Sequence, residues 1–234
     1  MYTDRDAEIV GWIGGLGAAG AEHVMARFGM GRSWAYARLS RLVVGGLLEQ
    51  RALLYRQPGL YLATGEGLRW HGLERLGVYR VGPGGFQHAW VLAGVAAALY
   101  RGLPGWGLLS ERELRVVEVE RRELVGSVRV GELPGGRPAL HRPDLVAVGL
   151  DGRRVAVEVE LSVKAPRRLA AVCQGYARAR HIEHAYYLAT APVARAVERA
   201  VAEVRAGDRV TVLGLSDVAL LSRLAWGEAS HARV

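Results

Sequence analysis

The stretch that most constrains the fold is Leu145-Val-Ala-Val-Gly-Leu-Asp-Gly-Arg-Arg-Val-Ala-Val-Glu-Val-Glu-Leu161. Two β-rich runs, Leu145 to Gly149 and Arg154 to Leu161, flank Leu150-Asp-Gly152, and an Asp-Gly pair between such runs is a strong hairpin signal. Strand alternation sets Val155, Val157 and Val159 on one side and Ala156, Glu158 and Glu160 on the other. The two glutamates then stand roughly 6–7 Å apart along the strand. Asp144 enters the first strand directly after Pro143, so antiparallel pairing brings Asp144 and Glu158 to the same end of the hairpin. Like charges gathered on one sheet face are costly unless a cation lies between them. Lys164 follows just before Pro166, where a helix is expected to start, and it is the only lysine in the chain. A compact ammonium is not interchangeable with a guanidinium, so this lone lysine joins the candidate cluster.

Around the hairpin the pattern alternates. Phe86 to Arg101 reads as an apolar helix, and Leu103 to Gly107 as a Pro/Gly break. Leu114 to Glu120 and Glu123 to Val130 read as strands or one hairpin, and the run Val128 to Gly136, with Pro134-Gly-Gly136, reads as a loop. Helices are expected over Pro166–Arg180 and Pro192–Val204, and strands over His184–Ala189 and Val210–Leu213. A mixed sheet flanked by helices, of the α/β (α+β) class, is the simplest architecture.

The first 76 residues differ. Thr3 is placed as an N-cap for a helix through Ile9, Trp12 and Ile13 that ends in the glycines of 14–20. A second helix is expected over Ala21–Phe28, and a third from Ser33 through Ala35, Leu39 and Leu42. Strands over Leu48–Tyr55 and Leu60–Ala63 are joined by Arg56-Gln-Pro-Gly59, before a short helix from Gly65 towards Leu73. That order, with the segment Arg32 to Glu49, resembles bacterial winged helix-turn-helix proteins. No acid lies between Glu22 and Glu49, and Arg32, Tyr36, Arg38 and Arg41 fall largely off the apolar stripe, where they are candidates to meet DNA phosphates or base edges. The glycine-rich residues 77–87 are expected to link this winged-helix domain (1–76) to the second domain (88–234).

Arg142-Pro-Asp144, Glu158-Val-Glu160-Leu-Ser-Val-Lys164 and Arg168 to Tyr176 together resemble the PD-(D/E)xK nuclease superfamily. Within it the chain is similar to the replication-relaxation family of actinobacterial and plasmid-borne proteins, over nearly its whole length. His88 and Ser110 to Arg115 carry part of that likeness. The resemblance implies a PD-(D/E)xK nuclease-like second domain with a metal-dependent endonuclease or nickase activity on double-stranded DNA, in plasmid or mobile-element replication or transfer. It implies Mg²⁺ or Mn²⁺ held by Asp144 and Glu158, with the Val159 carbonyl as an extra ligand, and Asp144, Glu158, Glu160 and Lys164 as catalytic residues. The chain departs from the superfamily pattern at Glu160, where lysine is expected. Either Lys164 takes that role from four residues further on, or Glu160 is a second metal ligand, or activity is lost and the domain is a binding scaffold. Glu111, His88, Gln174 and Tyr176 are weaker candidates. His181 and His184 have a spacing compatible with metal, but packing roles fit them better without cysteines nearby.

The net charge of +8, from 31 basic and 23 acidic residues, favours polyanionic partners without specifying one. No apolar run reaches the ~20 residues of a membrane span. The polar start Tyr2-Thr-Asp-Arg-Asp6 does not read as a signal peptide, and the lone Cys173 precludes an intrachain disulfide, so a cytoplasmic protein is expected. A homodimer reading two half-sites is compatible with the winged-helix reading.

Overall fold

The computed structural model describes residues 2–218 and divides the chain into two compact units, Met1–Arg101 and Gly102 onward. The C-terminal end of the expected second domain, residues 219–234, lies outside the described residues. The fold is mixed α and β, and none of its described helices is long and apolar enough to cross a membrane.

In the first unit, α1 (Asp4–Leu16) starts at a capping box in which the Thr3 and Asp6 side chains each bond the other's backbone N–H. A two-residue strand, β1 (Ala18–Ala19), precedes α2 (Ala21–Phe28) and α3 (Arg32–Val44). Strands β2 (Leu48–Arg51) and β3 (Leu60–Ala63) pair antiparallel, and β1 pairs with the other edge of β3. Ile9, Ile13, Leu39, Leu42, Leu48, Leu60 and Leu62 are fully buried, the residues that helical and strand periodicity place inward. A short helix, α4 (Gly65–His71), follows Thr64, whose hydroxyl caps it.

The glycine-rich residues expected to link two domains instead lead into α5 (Pro83–Gly102). Proline suits the first turn of a helix, where its missing N–H costs nothing. Phe86 and Ala89 of α5 pack with Ala18, Leu60 and Leu62, so the division between units falls after α5, at Arg101/Gly102. Glycine content marked a break here, and the apolar face that follows it decided otherwise.

The second unit is built on a five-stranded sheet in the order β10-β9-β8-β7-β4. Strands β4 (Gly107–Ser110), β7 (Leu145–Val148) and β8 (Arg154–Glu160) are antiparallel neighbours, and β9 (His184–Ala189) and β10 (Val210–Gly214) run parallel to β8. Helices α7 (Pro166–Arg178) and α8 (Ala191–Glu203) make the crossovers that parallel pairing requires. The expected hairpin is present, with Gly152 at φ +82° in its turn. Ala156 of β8 packs with Leu169, Val172, Cys173 and Tyr176 of α7 and with Val193 and Val197 of α8.

Two expectations fail between β4 and β7. Residues Leu114 to Glu120, read as a strand, lie in α6 (Glu111–Arg121), because Ser110 and Glu113 form a capping box and Leu114 is the buried contact. The segment read as a loop from Val128 is β5 (Val128–Glu132), which pairs with β6 (Pro138–His141) as a separate two-stranded ribbon. Its tip alone, around Gly135 and Gly136, is the turn that composition signalled.

Candidate active site

The cluster forms at one end of the β7–β8 hairpin. Leu145 pairs with Val157, so Asp144 arrives opposite Glu158, and Asp144 Oδ2 accepts the Val159 backbone N–H at 2.7 Å. Glu158 and Glu160 both face inward, only 6% and 7% exposed. Lys164 returns onto Glu160, with Nζ 2.7 Å from Oε2. Asp144, Glu158, Glu160 and Lys164 are thus brought to one strand end. Pro166 starts α7 directly after, which turns the chain back across the sheet.

Two further side chains complete the cluster. His141, from the end of β6, places Nε2 2.5 Å from Glu158 Oε1. An ionised carboxylate only accepts, so the ring N–H donates. The Tyr176 hydroxyl, from the inward stripe of α7, donates a short hydrogen bond to the same oxygen. Burial pushes the Glu158 carboxyl up, but the charge and hydrogen bond of His141, the Tyr176 hydroxyl and the nearby Lys164 ammonium together hold it below the usual carboxylate range. Burial alone would lower His141, yet Glu158, with Asp144 assisting, raises it above its ordinary value. Both shifts favour the carboxylate–imidazolium form of the pair. Burial, then the Glu158 charge, pushes the Tyr176 hydroxyl well up, and does the same to Tyr187 beside it. The Cys173 thiol is pushed up to about 11 by burial, so it stays a neutral packing group.

The sequence did not single out His141 and offered Tyr176 only as a weaker candidate. The signal available for Tyr176 was its place on the stripe Leu169, Val172, Cys173, Tyr176, which packs on the strand carrying Glu158. For His141 none was available, because the ribbon that carries it was not foreseen. Glu118 was missed for the same reason. It accepts the backbone N–H groups of Val125, Gly126 and Ser127 and the Ser127 hydroxyl, which ties α6 to the start of the ribbon.

Of the weaker candidates, Tyr176 joins the cluster, and the Glu111 backbone N–H donates to the Asp144 carbonyl at 3.0 Å. Glu111 is ion-paired with Arg115, and His88 lies on α5 in the first unit. His181 Nε2 bonds the Ser127 carbonyl and His184 Nε2 the Thr211 hydroxyl, so each meets its own partner and they do not form a joint metal site. Gln174 is exposed on the opposite side of α7 from Tyr176.

As for a metal, no group of three or more His, Cys, Asp or Glu side chains among the described residues is arranged as a ready cage. What the hairpin offers is a pair of hard oxygen donors, Asp144 and Glu158. That set fits Mg²⁺ or Mn²⁺ better than a thiophilic metal, since Mg²⁺ keeps several waters and takes one or two carboxylates.

In the first unit the four residues singled out for DNA differ in availability. Arg32 lies over the Tyr36 ring, 5.7 Å from its centroid, and both line a cavity of about 300 Å³ with Gln50 and Tyr61. Arg38 and Arg41 instead reach the fully buried Asp6 carboxylate, at 2.8 and 2.6 Å. Arg38 also donates to the Thr3 hydroxyl and is mostly buried, so it ties α3 to α1 and does not project to solvent as its helix position suggested. Arg41 keeps about half of its side chain exposed. No family model, curated protein or solved structure matches the chain.

Proposed function

We propose that the chain is a DNA-binding protein in which a winged helix-turn-helix is joined to a PD-(D/E)xK nuclease-like domain that nicks or cleaves double-stranded DNA with Mg²⁺ or Mn²⁺. The observation that carries this reading is the position of Lys164. Its ammonium meets Glu160, at the place where the superfamily pattern puts lysine, and it is near enough to influence both Glu158 and His141. This favours the displaced-lysine reading over the loss of the group.

Asp144 and Glu158 would hold the cation, which polarises a phosphate and lowers the pKa of bound water when present. Both His141 and Tyr176 bond the Oε1 atom of Glu158, so they orient the carboxylate and keep it ionised. Glu160 orients Lys164, whose positive charge is suited to the extra negative charge on a phosphate under attack. The helix order of the first unit, its β1-β3-β2 sheet and the exposed Arg32, Trp34 and Tyr36 on α3 support the winged-helix reading.

A second reading, a DNA-binding regulatory factor that retains the nuclease-like scaffold, is favoured by one observation. Glu158 and Glu160 are already paired with His141 and Lys164 inside the protein. Nicking of supercoiled plasmid with Mn²⁺ separates the two. The nuclease reading expects nicking by the unaltered chain and its loss, by at least on the order of a hundredfold, in Asp144→Ala and Glu158→Ala. Duplex binding without nicking would establish the scaffold. Nicking that survives both substitutions would remove these carboxylates from the reaction.

A further inference from the structure

The β5–β6 ribbon crosses the C-terminal half of α7 and encloses a second concavity of about 470 Å³. Its contributors from α7, Ala171, Gln174, Gly175 and Arg178, recur at intervals of three and four. They lie on the helix face away from the stripe that carries Tyr176 to Glu158. The crossing is close: a Cβ on Gly175 would stand 2.8 Å from the Arg129 carbonyl oxygen, so only glycine lets the ribbon rest there. His181 is fixed beside it by the Ser127 carbonyl.

Three arginines line this concavity: Arg129 from the ribbon, Arg178 from the end of α7, and Arg180 just beyond it. Among the described residues, no carboxylate lies within ion-pair distance of any of the three. Elsewhere in the unit Arg115, Arg153 and Arg154 each have an acid beside them. Cations near a helix C-terminus complement its dipole, which accounts for Arg178. It does not account for Arg129, which comes from another element. Glu132 is the one acid in the lining, so the concavity stays net positive. Gathering guanidinium groups without counter-charge is unfavourable, and their forked donors match phosphate oxygens. The volume lies in the range that encloses a small ligand.

We propose that this concavity is a phosphate-binding site, which takes the phosphates of a nucleic-acid strand or of a free nucleotide through Arg129, Arg178 and Arg180. It stands independently of the carboxylate cluster and of any cleavage there.

The test is calorimetric titration of the full chain at low salt with a six-nucleotide single-stranded DNA and, separately, with a nucleoside triphosphate. Four proteins are compared: the unaltered chain, Arg129→Ala/Arg178→Ala, Arg178→Lys, and, as a control, Arg199→Ala at an exposed arginine of α8. The proposal expects at least one ligand to bind the unaltered chain and to lose about tenfold or more in affinity in the double variant. The Arg178→Lys variant should lose less, because it keeps the charge, and Arg199→Ala should bind unchanged. Binding of the oligonucleotide alone identifies a strand as the source, and equal or tighter binding of the triphosphate identifies a free nucleotide. Two results overturn the proposal: no binding of either ligand, or affinity that is unchanged in a double variant that melts like the unaltered chain. An equal loss in Arg199→Ala would also overturn it, by making the binding a general effect of surface charge. Plasmid nicking is read separately, so failure here leaves the assignment of Asp144 and Glu158 standing, and the reverse.

Discussion

Two buried glutamates of the second unit face the same electrostatic problem and solve it differently. Glu118 and Glu158 are each less than a tenth exposed, and each is held below its ordinary pKa against the upward push of burial. Glu118 achieves this with the Ser127 hydroxyl and three backbone N–H groups, of Gly126, Ser127 and Val125. The three backbone donors are fixed by the chain path, and the Arg142 guanidinium stands 3.6 Å from the same carboxylate. Glu158 achieves it with side chains that themselves titrate or move, His141 and Tyr176, with Lys164 close by. Backbone donors make a latch. Side-chain donors make a site, because they can reorient or exchange protons when a ligand arrives. The contrast is why we place chemistry at Glu158 and architecture at Glu118, though both are buried acids in one unit.

The largest expected effect lies on the latch. Glu118→Ala leaves three backbone donors and a hydroxyl without an acceptor, and should lower stability by about 3–5 kcal/mol in chemical denaturation. Little change would mean that the ribbon does not depend on Glu118 and that the comparison fails. Next comes Lys164→Ala. It should cost less stability than Glu118→Ala, since the lysine side chain is 43% exposed although the Glu160 side chain beneath it is only 9% exposed, while nicking falls on the order of 10²-fold. A large stability loss with normal nicking would make Lys164 structural. Tyr176→Phe should be milder, costing about 1.5–3 kcal/mol for one hydrogen bond to a charged acceptor. Because His141 remains on the same oxygen, the cost should fall at the low end.

The smallest effect is in pH, and its upper limit separates the two glutamates. Both have lowered pKa values, so each contributes stability that is present above the ordinary value of 4.5 and is lost as pH falls through the folded value. His141 is raised, so its contribution is complete below 6.5 and is lost as pH rises through its folded value. The Glu158–His141 pair therefore contributes most between about pH 4.5 and 6.5, whereas the Glu118 latch keeps its full contribution at higher pH. The stability gap between the unaltered chain and His141→Asn should narrow as pH rises above 6.5. A gap that widens would contradict the ion pair.

How much of this was legible in the sequence depends on how local each signal is. The β7–β8 hairpin was readable because a two-residue period and an Asp-Gly turn specify it within a few residues. With it came the meeting of Asp144 and Glu158, since register follows from the turn. Periodicity also located α7, α8, β9 and β10 to within a few residues at their ends. The ribbon was not legible, because β5 and β6 are short, are joined by a glycine turn, and bury only Val128. His141 was therefore without a place. Arg38 was misjudged from helix position alone. Its partner Asp6 is thirty-two residues earlier and already belongs to a capping box, so no local pattern announces that pair.

The central claim, that the Asp144–Glu158 end of the hairpin is a cation site and Glu118 is not, is tested most directly by Mn²⁺ binding to the full chain, followed by electron paramagnetic resonance. The account predicts one bound ion in the unaltered chain, lost in Asp144→Asn and retained in a folded Glu118→Gln variant. Equal binding by Asp144→Asn, or none by the unaltered chain at millimolar Mn²⁺, would contradict it.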